Sequence, residues 1–415
     1  MNTHFQADIK SETDKLKAVI LHTPGSEVEN MTPGNAERAL YSDILNLVIA
    51  KKEYSQLNEV LNKLTKVFQV HDLLTEILDN PIARAFLLTN ICAGRNDCKL
   101  QTELDGLDST TLATLLIEGV PMKKDNLSRF LNPERFELRP LHNFFFTRDA
   151  AITIGNEVLI GNMANAVRVR ESQIMEAIFR FHSELKCPIM KPHESYHINE
   201  MIHIEGGDIQ VARQDILLAG IGARTSTGGI DFIIDHFKKK NTKQHIIVQE
   251  LPPKPESFIH LDMAFTLLSQ EECLVYEPLI LQPNKYQTIH IEVNKGKVKI
   301  KPSKNMVQAL RDLGMDLKPV NCGGTADQYT QEREQWHSGA NFFSFAPGKA
   351  IGYNRNIYTL EELNKQGFDI IKASDVISNH DHPDKHRKCI VTIDGSELAR
   401  GGGGARCMTM PVRRN

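Results

Sequence analysis

Ala151-Ile152-Thr153-Ile154-Gly155-Asn156-Glu157-Val158-Leu159-Ile160 decides the fold. Two apolar runs flank a Gly-Asn dipeptide, which reads as a β-hairpin with a tight turn. Downstream, Ile174, Ala177, Ile178 and Phe181 recur at helical spacing. Cys187-Pro188-Ile189-Met190 then closes the stretch as a short strand. The unit from Phe144 to Met190 is therefore strand, strand, helix, strand.

The same order returns along the chain. A second unit starts at Ile202, with a hairpin of Ile209–Val211 and Ile216–Ala219 and a last strand at Ile246–Val248. A third is expected to open on a strand at Phe258-Ile259-His260. Cys273–Tyr276 is its next strand, and Met306 to Leu313 its helix. A fourth pairs Asn341–Phe345 with Ala350–Tyr353 around Pro347-Gly348; a helix near Leu360 and a strand at Ile370-Ile371 complete it. A fifth joins the two ends of the chain. Cys407–Val412 would pair with Lys17–His22, followed by a helix from Ser42 to Leu64 and a strand at Val67–Val70. Five similar units with joined termini predict an α/β fold of ββαβ repeats closed into a ring, which hides sheet edges. Residues 73–139 lack strand alternation and are rich in leucine, as at Leu112, Leu115 and Leu116. They read as an inserted helical domain within a catalytic body made of residues 1–72 and 140–415.

Each repeat opens on reactive groups. Asp149 follows Phe146-Thr147-Arg148, Glu205-Gly206-Gly207-Asp208 opens unit two, and His260-Leu261-Asp262 opens unit three. Strand alternation would put His260 and Asp262 on one face. The fifth unit brings Arg400-Gly401-Gly402-Gly403-Gly404-Ala405-Arg406-Cys407. Four glycines cost backbone entropy, which fits a place where backbone must come close to a ligand or present a side chain from a tight turn. Arg406 would favour the thiolate of Cys407. A thiol, an imidazole and several carboxylates are the groups that covalent catalysis with proton transfer needs. Arg168 stands 19 residues after Asp149 and Arg224 19 after Glu205. That parallel placement fits recognition of a substrate anion.

Composition bounds the rest. The chain has 415 residues, 41% of them hydrophobic, and a formal net charge of −3. This balance argues against a nucleic-acid binder. No apolar run reaches membrane-spanning length, and Met1–Gln6 lacks the features of a secretory signal. Seven scattered cysteines without a C-x-x-C pair fit a reducing, cytoplasmic compartment and give no zinc spacing. Cys92-x5-Cys98 is a poor zinc pattern. His380, His382 and His386 are interleaved with Asp381, Asp384 and Lys385 and read as a solvated loop.

Seven stretches resemble bacterial arginine deiminases in the family's order: Leu21–Glu27, Asn143–Asp149, Arg168–Glu171, Glu205–Asp208, His260–Asp262, Arg333–Trp336 and Arg406–Pro411. The resemblance implies a five-bladed α/β propeller with a helical insertion. It also implies hydrolysis of L-arginine to L-citrulline and ammonia without metal or organic cofactor. Carried over, Cys407 attacks the guanidinium carbon, Asp149 and Asp262 clamp its nitrogens, and His260 and Glu205 handle protons. Arg168, Arg224 and Asn143 hold the substrate carboxylate, Phe146 and Leu40 line the pocket, and Gly401 offers backbone contacts. A homo-oligomer, dimer or tetramer, is expected. One departure stands out: Gly402 occupies a position where many relatives carry an arginine. The competing readings are an amidinotransferase on the same fold and a non-catalytic guanidine-binding protein.

Overall fold

A computed structural model describes residues 5–93, 98–192, 202–240, 242–325 and 327–415, and of Cys98 only the backbone. The expectations placed on residues 1–4 and on the Cys98 thiol lie outside the described residues.

Ala151–Ile154 and Glu157–Ile160 pair antiparallel, and Ile189–Met190 joins Glu157–Ile160 in parallel. Gly155 makes the turn with φ 59, a left-handed conformation that suits glycine. A parallel return needs a crossover, and the helix Val169–Phe181 supplies it, with Ile174, Ala177 and Ile178 buried. The second sheet repeats the arrangement. Ile209–Arg213 pairs antiparallel with Ile216–Ile221, the helix Thr227–Lys240 crosses, and Gln244–Glu250 returns in parallel. A further sheet draws on both ends of the chain. Met410–Arg414 runs antiparallel to Leu16–Leu21, the helix Leu47–Leu64 crosses, and Lys66–Gln69 pairs in parallel.

Two sheets depart from expectation. In the third unit the first strand is Phe265–Leu267, not Phe258–His260. Glu256–Phe258 and Leu261–Met263 are short 3-10 turns, and the Asp208 carboxylate fixes the second by accepting the Leu261 N–H at 2.9 Å. Between Glu272–Val275 and the helix Met306–Asp312, the hairpin Thr288–Asn294/Lys297–Ser303 leaves the unit. It docks on Gln244–Glu250 and makes the second sheet five-stranded. In the fourth unit Phe343–Ala346 and Lys349–Tyr353 form the hairpin, but the strand beside it is Cys389–Ile393. Asp369–Lys372, expected there, sits at the outer edge. All five residues of Cys389–Ile393 are buried whereas Asp369–Lys372 is mostly exposed, so the apolar strand takes the centre.

The segment after Gln69 is helical: Val70–Leu78, Pro81–Cys92, Cys98–Asp105, Ser109–Glu118 and Leu127–Leu131. Asn80 and Asp108 accept main-chain N–H groups at two of the starts, with Pro81 in the first turn. Val120–Pro121 pairs with Phe136–Leu138. Leu74, Leu87, Leu112 and Leu116 share one apolar cluster with Ile174, Ala177 and Phe179, so these helices cover the first sheet's crossover helix. No helix of the described residues is long and apolar enough to cross a membrane.

Candidate active site

The chain reaches a single buried centre by way of the segments that precede the sheets. Asp149 stands just before Ala151–Ile154, and Glu205 precedes Ile209–Arg213. His260 and Asp262 precede Phe265–Leu267, Asn341 precedes Phe343–Ala346, and Cys407 precedes Met410–Arg414. All six are buried, with Cys407 and Asp149 the most accessible at 3% exposure. Asn341 Nδ2 lies 3.1 Å from Cys407 Sγ, and its Oδ1 accepts the main-chain N–H groups of Arg406 and Cys407 at 3.0 and 3.2 Å. The Asp262 carboxylate oxygens lie 3.7 and 3.8 Å from the sulfur. His260 Nε2 meets Glu205 Oε2 at 2.9 Å, and its Nδ1 faces Asp149 Oδ1 at 3.5 Å. The expected strand is absent here: Asp262 lies in the 3-10 turn Leu261–Met263 and His260 stands immediately before it.

The electrostatics divide the centre in two. Burial alone would lower the His260 pKa, yet Asp149 and the Glu205 hydrogen bond carry it up to about 9. Burial works against the Glu205 carboxylate, but His260, Arg224 and Arg168 hold it down to about 2. This half is an imidazolium–carboxylate pair. On the other side burial pushes the Cys407 thiol well above its ordinary value, and Asp262 and then Asp149 add to the rise. Arg406 does pull the thiol pKa down, the direction expected, but burial and the two carboxylates outweigh it. Its guanidinium turns away to Glu12 Oε1 at 3.0 Å and to Asp262 Oδ2 at 2.8 Å, so its charge is spent on two carboxylates. Burial also raises the Asp262 pKa, with Arg406 opposing.

The remaining expected residues surround this centre. Arg168 donates to Asp149 at 2.6 Å, and its Nε and Nη2 both donate to Glu171 Oε2 at 3.0 and 2.7 Å. It therefore braces Asp149. Arg224 is the less committed arginine: its Nη1 is buried, 3.7 Å from Glu205 Oε1, with no hydrogen-bond partner. Asn143 donates to the Ala39 carbonyl at 2.7 Å, and Leu40, the next residue, has φ 68. A β-carbon on Gly403 would stand 2.5 Å from Phe146, so the glycine run packs on that ring. Gly401 lies at the end of the 3-10 turn Leu398–Gly401, also against Phe146. Gly402 has φ 82 and open space beside it.

Asn341, Glu12, Glu171 and Glu53 were not expected. Asn341 had a signal, since it precedes the fourth unit's first strand as Asp149 precedes that of the first. Glu12 had none, because only the fold brings it to Arg406. Glu53 accepts N–H groups of Ser396, Glu397 and Leu398 at 2.9 to 3.1 Å and anchors the start of the glycine run.

Asp149, Glu205 and His260 offer atoms within 4.8 Å of one another, a spacing that three metal ligands can have. With His260 cationic and Asp149 held by Arg168, the trio has the charge balance of a proton-handling group. His386 is pinned by Asp369 at 2.8 Å and Asp381 at 3.0 Å, which makes the histidine loop an ion-paired turn. A cleft of about 760 Å³ lies behind the Ala39–Asn143 wall, lined by Arg38, Glu134, Arg139 and Arg170 among others. Of the expected site residues it touches only Asn143.

Fold and site together define a class: α/β proteins that gather a cysteine, a histidine and carboxylates from successive sheets. Solved structures share the fold. The product-bound N-terminal domain of ArgZ, an arginine dihydrolase of cyanobacteria, superposes with a TM-score of 0.53 at 13% identity over 97% of this chain and 98% of that one. The amidinotransferase SxtG of Microseira wollei gives 0.53 at 13% over 99% and 97%. The Pseudomonas aeruginosa dimethylarginine dimethylaminohydrolase complexed with citrulline gives 0.51 at 13% over 96% and 99%. At the sequence level the family model for arginine deiminase matches residues 37–414. The arginine deiminases of Streptococcus agalactiae serotype Ia and Oenococcus oeni are 31% and 29% identical, covering 97% and 98% of this chain and 97% of each relative. The chain belongs to the arginine deiminase family.

Proposed function

We propose that this enzyme hydrolyses L-arginine to L-citrulline and ammonia through a covalent intermediate on Cys407. One observation carries the reading. The Cys407 sulfur lies beside the Asp262 carboxylate, and the buried Asp149 Oδ1 of the same centre has no hydrogen-bond partner. A planar cation that donates N–H groups to both carboxylates would present its carbon to the thiol.

The steps follow from the residues. A substrate guanidinium between Asp149 and Asp262 neutralises the anions that raise the thiol pKa, so the substrate itself promotes the thiolate. Cys407 Sγ forms a bond to the guanidinium carbon. A terminal nitrogen takes a proton from His260, the C–N bond breaks, and ammonia leaves. His260, now neutral and backed by Glu205, takes a proton from water, whose oxygen attacks the same carbon. The C–S bond breaks as the remaining hydroxyl proton passes to solvent, neutral citrulline departs, and the thiolate is restored. Splitting one hard displacement into two easier ones is the advantage of the covalent route.

At the substrate's far end, Arg224 with its unpartnered nitrogen is the principal donor for the α-carboxylate. Arg168 and Asn143 complete the clamp, Phe146 and Leu40 line the pocket, and Gly401 supplies backbone contacts. Agmatine, which lacks the carboxylate, should be a very poor substrate, because buried arginine donors would stay unpaired. Comparable kcat/KM for arginine and agmatine would remove Arg224 from this role.

The reading extends to the whole chain. The five strand-and-helix units are taken as blades of a closed propeller, supported by the delivery of one side-chain set from each to one centre. Residues 73–139 are taken as a helical domain inserted into a catalytic body of 1–72 and 140–415. Cys187, Cys273, Cys322, Cys389 and Cys407 form no disulfide, which supports a cytoplasmic enzyme, and a homo-oligomer is part of the same proposal. Purified protein given arginine and no amine acceptor should release citrulline and ammonia in equal amounts. A requirement for an amine would favour an amidinotransferase, and arginine binding without products a non-catalytic guanidine-binding protein.

A further inference from the structure

Arg406 stands next to the reactive cysteine in sequence, yet its guanidinium faces away from it. The group is fully buried and makes four contacts. It meets Asp262 Oδ2 at 2.8 Å, Glu12 Oε1 at 3.0 Å and Glu12 Oε2 at 3.3 Å, and it donates to the Ile209 carbonyl at 2.8 Å. Glu12 is itself buried and is placed by its main chain, whose N–H donates to the Val211 carbonyl at 2.7 Å. The contacts therefore run from the segment before Leu16–Leu21, through the cysteine turn, to the turn that carries Asp262. They leave Asp262 with Oδ2 bound to Arg406 and Oδ1 free of it, the two oxygens standing 3.7 and 3.8 Å from Cys407 Sγ.

We propose that Arg406, held by Glu12, is a positioning residue that keeps Asp262 ionised and aims its free oxygen at the substrate cation. The inference rests on the reading of Asp262 as a guanidinium ligand. Burial favours the neutral acid, and a neutral acid presents a proton where the substrate needs an acceptor. A fixed buried cation opposes that protonation. Arginine suits the task better than lysine because its planar fork reaches Asp262 and Glu12 at once. The other charged groups acting on Asp262 and Arg406 are His260, Asp149, Arg148 and Arg414. Of these, His260 opposes the protonation of Asp262 as Arg406 does, while Asp149 favours it.

The sign of the effect follows. Asp262 must be a carboxylate to bind arginine, so binding is lost as pH falls through its pKa. Removing the Arg406 cation raises that pKa and moves the loss to higher pH. Once ionised, Asp262 would have no internal partner competing with the substrate, so alkaline affinity is kept or improved.

The test is L-arginine affinity by calorimetry across about pH 6 to about pH 9, in a Cys407→Ala background that prevents turnover. Arg406→Gln should weaken binding about tenfold or more at the acid end and leave it equal or tighter at the alkaline end. Arg406→Lys, which keeps the cation, should hold the midpoint near that of the parent. Glu12→Gln, which keeps Arg406 but frees it, serves if Arg406→Gln does not fold; it should widen the spread of affinities without abolishing binding at the alkaline end. Uniform weakening at every pH, or no change, would overturn the proposal and leave Arg406 a structural ion pair. If the parent itself fails to bind arginine, the functional reading fails instead, a result that no Arg406 variant can produce.

Discussion

One buried ion pair and one buried thiol set the behaviour of single residues. His260 and Glu205 form one interaction with two pH limits. The raised His260 pKa means that its contribution to stability is complete below the ordinary value of 6.5 and is lost as pH rises through about 9. The lowered Glu205 pKa means that its contribution is complete above 4.5 and is lost as pH falls through about 2. Between 4.5 and 6.5 the pair is at full strength. Glu205→Gln leaves an imidazolium buried without its anion and should cost about 3–5 kcal/mol in denaturant unfolding. It should also flatten the decline in Tm above neutral pH; an unchanged decline would remove this pair as its source. At the thiol the shift is upward, so alkylation of the free enzyme by iodoacetamide should be slow at neutral pH and accelerate in alkali. Rapid neutral alkylation of Cys407 would show a standing thiolate. Asp149→Asn and Asp262→Asn each replace an acceptor with an N–H donor facing a cation that has only donors. Turnover should fall by about a hundredfold or more in each, with the folding midpoint less affected.

At the scale of the element, the glycine run works as a turn that packs tightly at one position and opens at another. Gly403 cannot carry a β-carbon without meeting Phe146 at 2.5 Å, whereas Gly402 has φ 82 and room beside it. Gly403→Ala should therefore cost about 1–3 kcal/mol through overpacking and displace Cys407, with loss of turnover. Gly402→Ala should cost about 1 kcal/mol, from backbone conformation alone, and keep turnover. Tm and kcat of the two variants check this, and equal effects would mean that the run is a flexible linker. The run announced itself in the sequence because four glycines have no packing purpose. The Thr288–Ser303 hairpin was not expected, and its pairing with the second sheet is a property of the assembled fold. The Cys389–Ile393 strand had an apolar signal. Its precedence over Asp369–Lys372 becomes clear only when burial is known.

For the whole molecule, the residues of the centre were legible because each stands just ahead of a sheet, and repetition marks that place. Asn341 fits the series and completes it. Glu12 and Glu171 are different, since their partners are set by contacts across the fold, and the thiol's raised pKa depends on burial that no local pattern encodes. The helical segment after Gln69 shares its apolar cluster with the first sheet's crossover helix. Leu116→Ala should cost about 2–5 kcal/mol and loosen both, seen as parallel loss of amide protection in 109–118 and 169–181. Loosening of the helical segment alone would show that the two are energetically separate. The central claim is that Cys407 carries the substrate carbon. The most direct measurement is acid quench during arginine turnover, followed by mass spectrometry of the peptide containing Cys407. The account predicts a transient adduct on that sulfur equal to arginine less ammonia, absent from Cys407→Ala, which should form no citrulline. Citrulline released at the normal rate by Cys407→Ala would contradict it.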